Sequence, residues 1–425
     1  MRNLWTKAGV VGSVSVAFGS MLWSQKQAEL DHVASSCPSA QTNPSSPYEL
    51  KLVQVLFRHG ARTPLKSIPG VMEAQWVPTL LEPPAHTHIN YEVADLHGGP
   101  RPPAPVEDSY RKNILNGGSF PGQLTTVGMQ QLYELGKKLR RTYIEDTQFL
   151  SSTFTPAEVY VRSTNIVRTI ESAKCLVAGL FLQKQTETVP ILTTESASEI
   201  LYPNYHGCQL LRILVSHRWA ESSTLPDIAA DLQSIQSALG IAAHQRIDFI
   251  LIRDDMVARE AHGLHCPSVL NTWRNKVEQR AVDMIYYVYA HNNSMENLQL
   301  CVGPLLHLLL SNIDEKLEGI LSAPERKLFL YSAHDTTLIP CLMALGIFDM
   351  KWPPFAADIT LELHQHQKTN KPFVKVSYIG QDQLIPGCSG VYCPLEEFKQ
   401  VLSAYSMSSE GYRSLCNSKG GLTEP

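Results

Sequence analysis

The residues best suited to chemistry lie in the stretch 51–64, KLVQVLFRHGARTP, where a dense polar group follows an apolar run. Arg58, His59 and Arg62 fall within five positions, and Gly60 lets the backbone approach a neighbour closely. Guanidinium groups offer paired planar donors to phosphate oxygens, so two guanidiniums and an imidazole within five positions suit a phosphate dianion. The alternative is a strand end with solvated basic residues.

A strand must position this group. Residues 52–57 are apolar except for Gln54 and are typical of a strand buried inside a parallel sheet. Ligands bind outside the carboxyl ends of such strands. The pattern R-H-G-x-R-x-P resembles the signature of the histidine phosphatases, in the acid phosphatase and phytase branch, which implies a distant His-Asp pair. His334–Asp335 directly follows another strand-like run, Leu328–Tyr331, so we expect two strand ends to converge on one site.

A third strand-to-helix corner lies at residues 158–181. A short strand at 158–161 is followed by a helix to Phe181, which Ser163 or Thr164 is expected to cap. Taken alone, Arg168 is predicted to be a surface residue near a helix N-terminus that favours anions. The resemblance implies instead that Arg168 binds phosphate and that Arg162 supports the site.

The composition describes a globular protein with a large core. The chain has 425 residues, 44% hydrophobic and 18% charged, and its formal charge of −4 argues against a nucleic-acid partner. The nine cysteines contain no CxxC, so a zinc site is not expected. Cys388 can pair with Cys393, either can pair with Cys416, or they can remain buried thiols.

The fold class predicted is α/β, a mixed sheet flanked by helices with an inserted helical cap. We assign residues 48–194 and 301–425 to the catalytic core and 195–300 to the cap. Residues 69–122 are rich in proline and glycine and are predicted to be a lid-like loop region. Residues 358–363 and 374–378 are predicted to be antiparallel edge strands.

Residues 1–46 differ in composition from the rest and are predicted to be a targeting segment and linker. Arg2 and Lys7 precede an apolar run, and no acidic residue occurs before Glu29. Both a secretory signal and a mitochondrial presequence fit this pattern. The resemblance favours a mitochondrial location, with the secretory pathway as the alternative.

The resemblance and the residue chemistry together give each group a role. We expect His59 to form a phosphohistidine and Asp335 to donate a proton to the leaving alkoxide, with the pKa of Asp335 raised by the nearby phosphate anion. No metal or cofactor is expected. Four residues are predicted to bind the phosphate oxygens: Arg58, Arg62, Arg168 and His334.

Within this branch the sequence is most similar to phosphatases of lysophosphatidic acid, which implies a lipid phosphate as substrate. Apolar residues of the 69–122 region, Trp76 and Tyr91 among them, are expected to form a wall for an acyl chain. A monomer with peripheral membrane contact is expected. The alternatives are a general or phytase-like acid phosphatase, and a non-catalytic protein that binds phospholipid head groups.

Overall fold

The computed structural model describes residues 46–242, 244–290 and 295–417. Within these ranges the chain from Tyr48 onward forms one compact unit. The predicted targeting segment lies outside them except for its last residue. None of the helices found here is both long and apolar enough to cross a membrane.

Strands in the described ranges form one sheet, confirming the mixed α/β fold. The strands are β1 (Tyr48–Arg58), β2 (Tyr91–Asp95), β3 (Val159–Ser163), β4 (Val189–Thr193), β5 (Leu328–Ala333), β6 (Asp358–His366), β7 (Pro372–Tyr378), β8 (Gln381–Gln383) and β9 (Tyr392–Pro394).

Their order is β2-β4-β3-β5-β1-β6-β7-β8, and β9 also pairs with β7. The first five strands of this order are parallel, whereas β6 runs antiparallel to both β1 and β7. The predicted antiparallel direction of β6 and β7 is confirmed, but their predicted position at the edge is wrong, because β7 also pairs with β8 and β9. The lid-like region is also less irregular than predicted, because its residues 91–95 form β2 at the sheet edge.

Helices flank the sheet and fill the stretch between β4 and β5. The α-helices of the described residues are α1 (Pro105–Tyr110), α2 (Thr126–Arg140), α3 (Val167–Phe181), α4 (Gln209–Ser222), α5 (Pro226–Leu239), α6 (Phe249–Ala261), α7 (Ser268–Ala290), α8 (Met295–Glu318), α9 (Asp335–Ala344), α10 (Leu395–Leu402) and α11 (Ser409–Asn417). The predicted boundary between core and cap, at residue 300, falls inside α8. A boundary at a helix end would fit the helix bounds better. A separate cap stays a prediction.

Strand β1 is apolar along most of its length because both its faces are covered. Leu52 and Leu56 belong to one apolar cluster with α8, α9 and α10. Val53, Val55 and Phe57 belong to another with α2 and α3. Burial on both faces fixes the strand, and hence the loop at its carboxyl end.

Two disulfides join described residues. Cys388 pairs with Cys393, one of the alternatives considered from the sequence. Cys416 pairs with Cys208 instead, which ties α11 to the start of α4.

Candidate active site

The site lies where the parallel strands β1, β3 and β5 end. Arg58 is in register with Ala333, the last residue of β5, and the His59 N–H donates to the Ala333 carbonyl at 3.1 Å. The rings of His59 and His334 are 5.5 Å apart. Contacts and charge effects bring together every residue predicted for the site: Arg58, His59, Arg62, Arg168, His334 and Asp335.

His59 is buried and its proton can be placed from geometry. Its Nδ1 lies 2.9 Å from the carbonyl oxygen of Gly60. A carbonyl only accepts, so Nδ1 carries the hydrogen and the Nε2 lone pair remains available. Burial, and then the charges of Arg168 and Arg58, hold the pKa of His59 well below its usual value. The imidazole is therefore neutral, as a nucleophile must be.

Gly60 is required by a helix that packs against the catalytic loop. A Cβ on Gly60 would lie 2.2 Å from the carbonyl oxygen of Gly128 in α2, and a Cβ on Gly128 would lie 2.1 Å from the oxygen of Ala61. Thr125 caps α2 by accepting from the Gly128 N–H, and its own hydroxyl donates to Ala61. The backbones of loop and helix thus touch directly and hold His59 in place.

Arg58 and Asp335 form a buried ion pair across the site. Arg58 Nη2 lies 2.7 Å from Asp335 Oδ2, which also accepts from the indole Nε1 of Trp352 at 2.9 Å. Burial disfavours the carboxylate, but Arg58 and the Trp352 hydrogen bond outweigh burial and hold the pKa of Asp335 well below its usual range. In this arrangement Asp335 is ionised, and the raised pKa expected beside a bound phosphate stays a prediction.

Arg62 pairs with Asp254, a residue of α6 that the sequence reasoning did not identify. Arg62 Nη2 and Nη1 lie 2.8 and 3.3 Å from the two carboxylate oxygens, and Asp254 also accepts from the Leu65 N–H at 2.8 Å. Burial opposes the charge of Arg62, but Asp254 outweighs it and raises the pKa of this guanidinium. Asp254 thus anchors the end of the catalytic loop to the helical segment.

Arg168 is buried, not a surface residue. Its Nε and Nη1 have no hydrogen-bond partner among the described residues, and its guanidinium carbon lies 5.2 Å from the centre of the Tyr110 ring. Buried donors without a partner are costly, so this arrangement favours an incoming anion. The N-terminus of α3 is not capped by Ser163 or Thr164; instead the Val167 N–H donates to the Glu107 carboxylate at 3.1 Å.

Two further side chains of the third corner support the site. His334 Nε2 lies 3.0 Å from the hydroxyl of Thr164. Arg162, expected to have a supporting role, forms a buried ion pair with Glu199 at 3.0 Å. Arg162 therefore ties the segment that carries Arg168 to Glu199. No contact between Arg162 and His59 is seen among the described residues.

Two aromatics of the predicted acyl wall have other contacts, and the wall itself stays a prediction. Trp76 is fully buried and packs against Leu115 and Ala258. Tyr91 lies in β2 and donates its hydroxyl to Glu171 at 2.7 Å. These aromatics serve the core and the sheet edge.

No group of three or more His, Cys, Asp or Glu side chains within the described ranges is arranged to hold a metal ion. Asp254 left no signal in the sequence, because it lies in a stretch without a motif and reaches the site only in three dimensions. Trp352 lies in the stretch 351–356, which contributes to the family resemblance, but nothing in that stretch indicated a contact with Asp335.

Comparison with known proteins gives a family. The model of the histidine phosphatase superfamily, branch 2, matches residues 49–379. Lysophosphatidic acid phosphatase type 6 of Homo sapiens is 44% identical over 98% of this chain and 96% of its own length. The Mus musculus protein of the same name is 46% identical over 87% of this chain and 88% of its own.

Solved structures agree at the level of fold. A Hafnia alvei phytase, in complex with myo-inositol hexakis sulphate, superposes with a TM-score of 0.55 at 16% identity, covering 88% of this chain and 99% of the phytase. The strand-end loop, the His-Asp pair and the matched length all agree with the predicted family, and the chain belongs to branch 2 of the histidine phosphatase superfamily.

Proposed function

We propose that this protein hydrolyses lysophosphatidic acid to monoacylglycerol and phosphate through a phosphohistidine on His59. The observation that carries the reaction type is the Nδ1–H hydrogen bond to Gly60, which leaves a neutral Nε2 lone pair beside buried arginines. The substrate class rests on the two relatives that are 44% and 46% identical and are named for lysophosphatidic acid.

In the first step His59 Nε2 attacks phosphorus and a P–N bond forms while the ester P–O bond breaks. Charge on the phosphoryl oxygens is balanced by Arg58, Arg62 and Arg168, with His334 as a further donor. The departing alkoxide takes a proton from Asp335, which removes the cost of expelling a strong base.

In the second step water attacks the phosphohistidine, and the Asp335 carboxylate accepts a proton from that water. The P–N bond breaks, phosphate leaves and His59 is again neutral.

The ionised state of Asp335 constrains this scheme. A phosphate dianion competes with Asp335 for Arg58 and places negative charge next to the carboxylate, and both effects raise its pKa. Substrate binding is therefore accompanied by uptake of the proton that Asp335 later donates.

The test is phosphate release from lysophosphatidate, diacyl phosphatidate, phytate and a water-soluble monoester at matched concentrations, with EDTA present. We expect the highest kcat/KM for lysophosphatidate. A higher kcat/KM for phytate or equal values for all monoesters would replace this function with a phytase-like or general acid phosphatase. Binding without turnover would favour the non-catalytic head-group protein.

A mitochondrial location, peripheral membrane contact and a monomeric state are also proposed. The composition of residues 1–46 supports the location, while the disulfides Cys208–Cys416 and Cys388–Cys393 are typical of oxidising compartments and keep the secretory alternative open. Imaging of the full chain with a C-terminal tag separates the two locations. Light scattering and vesicle flotation test the other two proposals.

A further inference from the structure

The reaction geometry fixes the side on which the rest of the substrate must lie. Attacking and leaving groups are roughly in line in phosphoryl transfer, so the leaving oxygen is opposite His59 and next to Asp335. Trp352, which donates to Asp335, packs in one apolar cluster with Tyr205, Trp219 and Ile250. The leaving group therefore points toward the helical segment that contains α4 and α6.

A cleft of about 840 Å³ lies between α4, the 245–248 loop and the start of α6. Tyr205 and Trp219, which belong to the cluster around Trp352, line it and so place it next to the leaving-group side. This volume is within the usual range of ligand sites. Two elements of the phosphate site continue into it. Leu251 of α6 lines the cleft three residues before Asp254, so both lie on one helix face, and Lys66 lines the cleft directly after Leu65, whose N–H donates to Asp254.

The lining of this cleft combines apolar and polar side chains. Val215, Trp219, Ile247 and Leu251 supply apolar surface along which a chain can lie. The remaining lining is mostly charged or hydrogen-bonding and suits the polar end of an amphiphile: Lys66, Arg212, Arg246, Asp248, Ser216, Ser223, Gln236 and Gln245.

A second groove, of about 770 Å³, lies between α2 and the β6–β7 part of the sheet. It reaches the site at Phe355, whose ring is 6.0 Å from the ring of His59 and 4.3 Å from the guanidinium carbon of Arg58. Buried carboxylates, Asp358 and Glu362, line it as well. A leaving group opposite His59 does not point there.

We propose that the cleft between α4 and α6 binds the acyl chain of a monoacyl phosphate substrate, an inference that rests on the proposed function. The phosphate is held at the strand ends, the glycerol passes Asp335 and Trp352, and the chain lies over Leu251 and Trp219. The cleft, and not the 69–122 region, then determines chain-length specificity.

The test fills the cleft without touching the catalytic groups. Ser216 and Ala220 are exposed residues of α4 that line it one turn apart, and Ser234 of α5 is an exposed residue outside it. We compare Ser216→Trp and Ala220→Trp with the matched control Ser234→Trp. Each buried methylene contributes up to about fourfold in kcat/KM, so the wild type and the control show a gradient with chain length.

The filled variants are expected to lose most of this gradient and to retain wild-type kcat/KM for a water-soluble monoester, which also shows that they fold. An unchanged gradient in both filled variants overturns the acyl site and leaves the proposed function standing. A wild type with no preference for lysophosphatidate overturns the proposed function, and this inference with it.

A direct measurement does not depend on variant stability. A phosphonate analogue of lysophosphatidate with a photoreactive diazirine at the chain end is crosslinked to the wild-type protein, and the labelled peptides are identified by mass spectrometry. We expect label in peptides from α4 or α6. Label confined to α2 or β7 would assign the chain to the other groove and contradict the proposal.

Discussion

Arg58 ends β1 and Arg62 lies four residues later in the loop that follows; both are buried, yet their carboxylate partners differ. Arg58 pairs with Asp335, which follows a neighbouring strand end at the N-terminus of α9. Arg62 pairs through Nη1 and Nη2 with Asp254 of α6. We call these two contacts the Asp335 pair and the Asp254 pair.

Electrostatics separate the two pairs. Burial lowers the pKa of Arg58 to about 10 in spite of Asp335, whereas Asp254 overcomes burial and raises the pKa of Arg62. Burial therefore outweighs Asp335 at Arg58, whereas Asp254 outweighs burial at Arg62. From this comparison we predict that the Asp335 pair exchanges partners during the reaction and that the Asp254 pair persists.

Removing the nucleophile should stop the reaction while both pairs remain. We expect His59→Ala to lose turnover on the order of 10⁶-fold, the size seen when a covalent nucleophile is removed. Labelled phosphoenzyme is then absent after rapid quench. The melting temperature shows whether the fold is intact, and a labelled phosphoenzyme in a folded His59→Ala would show that another group attacks phosphorus.

Breaking the Asp335 pair should affect chemistry. Asp335→Asn is expected to lower kcat by about 10²–10⁴-fold on an alkyl phosphate, because the alkoxide leaves without a proton. An aryl phosphate, whose phenolate needs little protonation, should lose much less. Pre-steady-state kinetics on the two substrates measure the difference, and equal losses would remove Asp335 from the role of proton donor.

Breaking the Asp254 pair should affect positioning and stability. We expect Asp254→Asn to lower the free energy of unfolding by about 1–3 kcal/mol, because Arg62 keeps a buried charge with a weaker partner. KM should rise more than kcat falls, with alkyl and aryl phosphates affected alike. Urea unfolding and steady-state kinetics check both effects, and a selective loss on alkyl phosphates would erase the distinction between the pairs.

Most residues proposed to act on phosphorus could be located from local sequence patterns, whereas Arg168 was located only through the family resemblance. Arg58 and His59 follow a strand whose apolar run is readable, and His334 and Asp335 follow another. Their partners were not predictable. Asp254 lies 192 positions after Arg62 in the sequence. It is on a helix whose hydrophobic pattern indicates how the helix packs but does not indicate that Asp254 contacts a loop.

The protonation state of Asp335 also could not be predicted from the sequence. A carboxyl near phosphate has a raised pKa, but the same carboxyl beside Arg58 and Trp352 has a lowered one, and only the distances decide. The cap of α3 is a similar case, since a Glu107 carboxylate from another segment replaces the local Ser or Thr.

Proton uptake on anion binding tests the exchange of the Asp335 pair most directly. Sulfate mimics phosphate and does not itself take up a proton at mildly acidic pH. Its binding is measured by calorimetric titration in buffers of different ionisation enthalpy. Because Arg58 turns to the anion and the pKa of Asp335 rises, the wild type should take up a fraction of a proton, less as pH rises. Asp335→Asn should take up none, and Asp254→Asn should match the wild type. Sulfate binding without proton uptake by the wild type would contradict the exchange.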